Sequence, residues 1–102
     1  MKTWSPYANG KDIGTIGSES GIIINDDEFA NEARITLEKD GHTPFGITCG
    51  IYGLMVHTVF AGDYDEAIRK YEEMKTAIAD FINKYNDDTD VDDWCGQFAD
   101  RF

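Results

Sequence analysis

Between Pro44 and Phe60 the chain reads Pro-Phe-Gly-Ile-Thr-Cys-Gly-Ile-Tyr-Gly-Leu-Met-Val-His-Thr-Val-Phe, with no Asp, Glu, Lys or Arg. Where 28% of the residues are charged, such a run belongs to the interior, and the fold has to be arranged around it. Its β-branched and aromatic content suits a pleated surface. Phe45, Ile47, Cys49 and Ile51 alternate with small residues. Further on, Leu54, Val56 and Phe60 oppose Met55 and Val59, the pattern of a strand covered from two sides. About sixteen residues in one straight strand would span roughly 50 Å, too long for a domain of this size. Gly50 and Gly53, bracketing Ile51-Tyr52, therefore mark a bulge, bend or tight turn, and a turn makes Leu54 to Phe60 a return strand. The rival is a helix with Thr43 as cap and Pro44 in its first turn. Three glycines at about 1 kcal/mol each, among many β-branched residues, argue against it.

The rest of the chain supplies partners for this strand pair. Ala33, Ile35 and Leu37 alternate with polar residues, and Lys39 to Thr43 is a turn of hairpin length leading into Phe45. Upstream, Ile13 to Ile16 and Ile22 to Ile24 read as two short strands joined by a Gly/Ser turn. Asn25 to Glu32 reads either as one helical turn or as a polar loop carrying Phe29 inward. Trp4 and Tyr7 suggest an arm packed back on the body.

From Asp63 the period changes. Tyr64, Ala67, Ile68, Tyr71, Met74, Ile78, Phe81, Ile82 and Tyr85 recur at three- and four-residue steps, one wide apolar stripe. Asp63 and Glu66 form a capping-box start, and Asp65–Arg69, Glu66–Lys70 and Asp80–Lys84 are acid-before-base pairs four apart. About 22 residues make a helix roughly 33 Å long. Asn86 to Asp90 ends it. Val91, Trp94, Cys95, Phe98 and Phe102 then predict a short amphipathic helix capped by Thr89 or Asp90. The fold expected is α+β, one domain over residues 1–102. An antiparallel sheet of four or five strands fills the N-terminal two thirds, one long helix packs on it, and a short helix ends the chain.

Several chemistries do not fit the chain. Gly17-Ser18-Glu19-Ser20-Gly21 has Glu19 where a nucleophile elbow needs serine. Gly14, Gly17 and Gly21 are not spaced as a dinucleotide fingerprint, and no phosphate-loop lysine follows. Asp88, Asp90 and Asp92 fit the first ligands of a calcium loop, but Asp93 replaces its glycine and Ala99 its bidentate glutamate. Cys49 and Cys95 match no metal or redox spacing. No cofactor, metal or catalytic group is expected. Cys49 with His57 as a thiol–imidazole pair is weaker than a buried thiol beside a structural histidine.

Charge gives the partner class. Twenty acids against nine bases set the formal net charge at −11, which disfavours nucleic acid and anionic membrane surfaces. With no signal-peptide-like or membrane-spanning run, the cytoplasm and reduced thiols are expected. Residues 86–102 carry six acids and one base, beside Trp94 and Phe98. An acidic rim of Asp87, Asp88, Asp90, Asp92 and Asp93 around those aromatics suits an electrostatically steered interface. The leading expectation is a non-enzymatic module docking a basic protein, in the manner of immunity or inhibitor proteins. The alternatives are a small-molecule pocket or enzyme site between sheet and long helix near Cys49, Tyr52 and His57, and a homodimer paired through its sheet or C-terminal aromatics.

Overall fold

In the computed structural model of the protein, which describes residues 3–86 and 88–102, the uncharged stretch is a β-hairpin. Strands β1 (Trp4–Pro6), β2 (Ile22–Phe29), β3 (Ala33–Lys39), β4 (Phe45–Ile51) and β5 (Met55–Ala61) form one meander in sequence order, every neighbouring pair antiparallel. The β4–β5 turn is tight because Gly53 takes φ +78°, a left-handed conformation that glycine adopts without steric cost. The long uncharged run therefore folds back on itself, and the rival helix is not formed.

Helix α1 (Tyr64–Lys84) starts where the stripe predicts. Asp63 Oδ1 accepts from the Glu66 amide at 2.8 Å, satisfying one of the first-turn donors that no carbonyl can reach. Asp63→Ala is expected to cost about 1 kcal/mol by urea titration, with a C-terminal substitution such as Asn83→Ala near neutral. The pairs Glu66–Lys70 and Asp80–Lys84 form at 2.9 Å each, while Arg69 turns to Glu73 at 3.5 Å. Helix α2 (Val91–Arg101) is capped by Asp90, whose Oδ1 accepts from the Asp93 amide at 2.9 Å.

Both helices lie on one face of the sheet. Ala33, Ile35 and Leu37 of β3 and Ile47, Cys49 and Ile51 of β4 bury against Ala67, Tyr71, Met74 and Ile78 of α1. Each fully buried large side chain contributes about 1.5–3 kcal/mol of transfer free energy. The stripe needs an apolar floor of its own length, and the sheet provides it.

Two expectations are corrected. Asn25 to Glu32 is neither helical turn nor loop as far as Phe29, but the second half of strand β2, paired along its length with β3. Its acids are held on both faces. Inward, Asp27 accepts from Tyr71 Oη at 2.6 Å and Lys75 Nζ at 3.2 Å; outward, Asp26 takes Arg34. A bulge between Ile23 and Asn25 shifts the register, so the alternation that marks a strand is broken there. Of the two short strands expected upstream, Ile22 to Ile24 forms and opens β2, while Ile13 to Ile16 is reduced to an isolated bridge from Ile16 to Ile22. The second correction concerns β5, which is covered along its helix side but on the other only at Thr58, by Glu19. On the other side Val56 is 78% exposed, Phe60 49% and the adjoining Leu54 42%.

Candidate functional site

The face of the sheet away from the helices is built from cross-strand rows fixed by register. Glu38, Gly46 and Phe60 form one row across β3, β4 and β5. Thr36, Thr48 and Thr58 form the next, and Arg34, Gly50 and Val56 the third. Because β4 contributes only Gly46, Thr48 and Gly50, a trough runs along it between two taller walls. An added Cβ at Gly50 would meet Met55 O at 3.5 Å and Val56 Cγ2 at 3.7 Å, ordinary contacts, so a side chain would fit here and its absence deepens the trough. The resulting hollow has a volume of about 670 Å³. Its β3 wall is polar and its β5 wall apolar.

The polar wall is tied down from within. Arg34 donates to Asp26 from Nε at 2.9 Å and Nη2 at 2.6 Å, and to Asp12 from Nη2 at 3.0 Å, with the Tyr7 ring 3.6 Å from its guanidinium carbon. Burial pushes the Asp26 carboxyl above its ordinary value, against the pull of Arg34, and Arg34 is held in its charged form by Asp26. Glu38, only 2% exposed, accepts from the Glu19 amide at 3.1 Å and the Gly21 amide at 3.0 Å. Those bonds lay residues 17–21 over one end of the sheet. Gly17 sits so close to the Glu38 carboxylate that a Cβ there would overlap it. These charges are compensated by their own chain, which makes the wall scaffold rather than reagent.

At the far end Tyr52 stands 49% exposed on the β4–β5 turn and donates its hydroxyl to Glu28 Oε2 at 2.9 Å. Burial, then this bond to a carboxylate, pushes its hydroxyl up to about 12. The trough thus ends in an aromatic lip, with Leu54 beside it.

The residues singled out from sequence separate. Cys49 and His57 are register partners on β4 and β5, as the hairpin requires. Burial pushes the Cys49 thiol up to about 12, which leaves it an unreactive hydrophobe. The His57 ring meets Phe98 edge-on at 5.8 Å, and its buried Nε2 has no hydrogen-bond partner among the described residues. At Cys49 and His57 the space between sheet and α1 is filled by the core, while at Tyr52 a hollow of about 310 Å³ lies between the β4–β5 turn and the end of α1, with Ile51, Tyr52, Leu54, Phe81, Ile82 and Tyr85 in its lining. The hollow of about 670 Å³ opens on the opposite face. Cys49 and Tyr52 are among its lining residues; His57 is not.

At the C-terminus, Asp88, Asp92 and Asp93 are exposed, and Asp90 is spent as the α2 cap. Asp87 lies outside the described residues. Trp94 stacks on Phe81 with ring centroids 4.2 Å apart, and Phe98, 4% exposed, packs between His57, Trp94 and Phe102. These two aromatics therefore fasten α2 to its own domain, while the acids beside them face solvent. No group of three His, Cys, Asp or Glu side chains among the described residues is placed to hold a metal ion.

The helix-free trough was not foreseen. Its trace in the sequence is the period-two run Gly46-x-Thr48-x-Gly50, which strips one face of a central strand of side chains. No family model, curated protein or solved structure matches the chain. Among the described residues no helix is long and apolar enough to cross a membrane.

Proposed function

We propose that this chain is a non-enzymatic binding domain that docks a basic protein partner. The observation that carries the reading is the helix-free sheet face, where Val56 and Phe60 stand exposed along β5 and Tyr52 and Leu54 at the adjoining turn, in a chain of net charge −11. A cluster of exposed apolar side chains with a polar surround marks an interaction surface, and the sign of the charge selects who approaches it. The acids at Asp88, Asp92 and Asp93 add to the steering field from the C-terminal end. The cytoplasm is the compartment that goes with this reading, with Cys49 and Cys95 as free thiols.

The test is capture from a native extract, identification by mass spectrometry, and stopped-flow association of the captured partner at rising salt. The association rate is expected to fall by about tenfold or more between low and physiological ionic strength. Reversing Asp88, Asp92 and Asp93 to Lys together is expected to flatten that dependence, sparing Asp90 because its carboxylate caps α2. A rate indifferent to both salt and charge reversal would end the reading.

The hollow above Gly50 supports a second reading, a small-molecule site with Tyr52 at its lip. It ranks lower because Arg34 and Glu38, the charged groups of the lining, are already satisfied by Asp26, Asp12 and main-chain amides.

A further inference from the structure

Among the described residues, strand β5 is the last strand of the sheet, with β4 on one side and no strand on the other. Its seven residues, Met-Val-His-Thr-Val-Phe-Ala, include no acid, Lys, Arg or Pro, and its register with β4 runs unbroken from Met55 to Ala61. Exposed edge strands are ordinarily blunted by Lys, Pro, a bulge or shortness, because their unpaired amides and carbonyls template further pairing. The opposite edge follows that rule. Strand β1 has three residues and ends on Pro6. On β5 a guard is Lys70 Nζ, which donates to the Phe60 carbonyl at 3.3 Å and is itself held by Glu66 at 2.9 Å.

We infer that β5 is the docking edge for an extended, basic segment of a protein partner, which adds to the sheet as a sixth strand. The inference rests on the basic-partner reading above and gives it a place. Main-chain bonds to β5 would supply affinity, and alternate side chains of the added strand would lie against Val56 and Phe60 on the helix-free face. The charges around the edge choose between occupants. Glu19 reaches Thr58 Oγ1 at 3.5 Å on one face. Asp63 and Glu66 follow the end of the strand, and α2 packs under His57 with Asp92, Asp93 and Asp100 exposed. A second copy pairing β5 to β5 would bring two such acidic helices together beneath the joined sheet, with each chain at −11. Lysines or arginines on an incoming strand meet the same field as attraction.

The probe is a capped peptide of about eight residues alternating Lys and Val, long enough to cover β5. Its control is the same peptide N-methylated at every amide, which keeps the charge and loses every main-chain donor. Binding to the full chain is followed at low and physiological salt, with amide hydrogen exchange read residue by residue. The unmethylated peptide is expected to slow exchange within Met55–Ala61. The methylated peptide is expected to bind at least about tenfold more weakly, a loss of at least about 1.4 kcal/mol. Thr58→Pro is expected to weaken the unmethylated peptide similarly, provided circular dichroism shows it folded. Val56→Lys, a change at an exposed side chain that leaves the main chain intact, weakens it independently of that proviso. Equal binding of both peptides, with protection falling on residues 88–93, overturns the edge inference and leaves the basic-partner reading standing. No binding of either peptide at low salt overturns both. A dimer by light scattering, with Met55–Ala61 protected before peptide is added, gives the edge to a second copy and overturns it too.

Discussion

Arg34→Met is expected to destabilise the fold by about 3–5 kcal/mol in urea titration at neutral pH, the largest single effect at the trough. The reason is what the substitution leaves behind. The Asp26 side chain has no solvent exposure and depends on Arg34 at 2.6 and 2.9 Å, with Thr36 Oγ1 donating at 3.2 Å. Without the guanidinium, the carboxylate is a buried charge with one neutral donor, and Tyr7 loses the cation beneath its ring. The double substitution Asp26→Leu with Arg34→Met removes both charges at similar volume and is expected to recover most of the loss. Should the double variant be as unstable as the single one, packing rather than uncompensated charge is responsible.

The same site fixes a pH signature. Burial raises the Asp26 carboxyl above its ordinary 3.8, so the folded chain binds that proton more tightly than the unfolded chain does. Its contribution to stability therefore falls as pH rises from 3.8 through the raised folded value, and returns on acidification. Loss of Arg34 removes a cause that lowers the carboxyl and widens that window. The deficit of Arg34→Met against wild type is expected to shrink on going from pH 7 toward pH 4, read as the difference in urea midpoints at each pH. A deficit independent of pH would mean that Asp26 ionises freely when folded.

Why this network was hidden in the sequence has a physical answer. Elements whose partner is the common core were legible from period alone: α1 through its stripe, β3 through Ala33, Ile35 and Leu37, and the β4–β5 hairpin through Gly53. The second half of β2 was not, although Ile22 to Ile24 was, because its two faces are held by polar partners, Arg34, Tyr71 and Lys75, that lie on other elements. Its closing turn also puts Ala30 at φ 50° and Asn31 at φ 60°, where a hairpin of this hand favours Gly or Asn. An alanine in that place advertises nothing. The trough was missed for a related reason. Apolar residues on both sides of Leu54 to Phe60 predict cover on both sides, yet cover depends on how much chain is left to provide it. Residues 17–21 reach Glu38 and Gly46 but leave Val56 and Phe60 in water.

Phe98→Ala separates an anchor from an interface. Removing a nearly fully buried ring is expected to cost about 3–5 kcal/mol, since its neighbours His57, Trp94 and Phe102 cannot close the space without moving α2 itself. An isolated helix of 11 residues is marginal in water, so α2 is expected to loosen as a unit rather than repack. Amides across Val91–Arg101 should then exchange much faster than in wild type, while those of β3 and β4 retain their order of protection. Any loss of partner binding in this variant would follow from loosening α2 and the acids it carries, not from a missing ring contact. Reversal of Asp88, Asp92 and Asp93 acts the other way, altering the field while Phe81, Trp94 and Phe98 stay stacked. A Phe98→Ala protein within about 1 kcal/mol of wild type, with exchange in α2 unchanged, would mean that the ring is dispensable to the core and free to serve a partner.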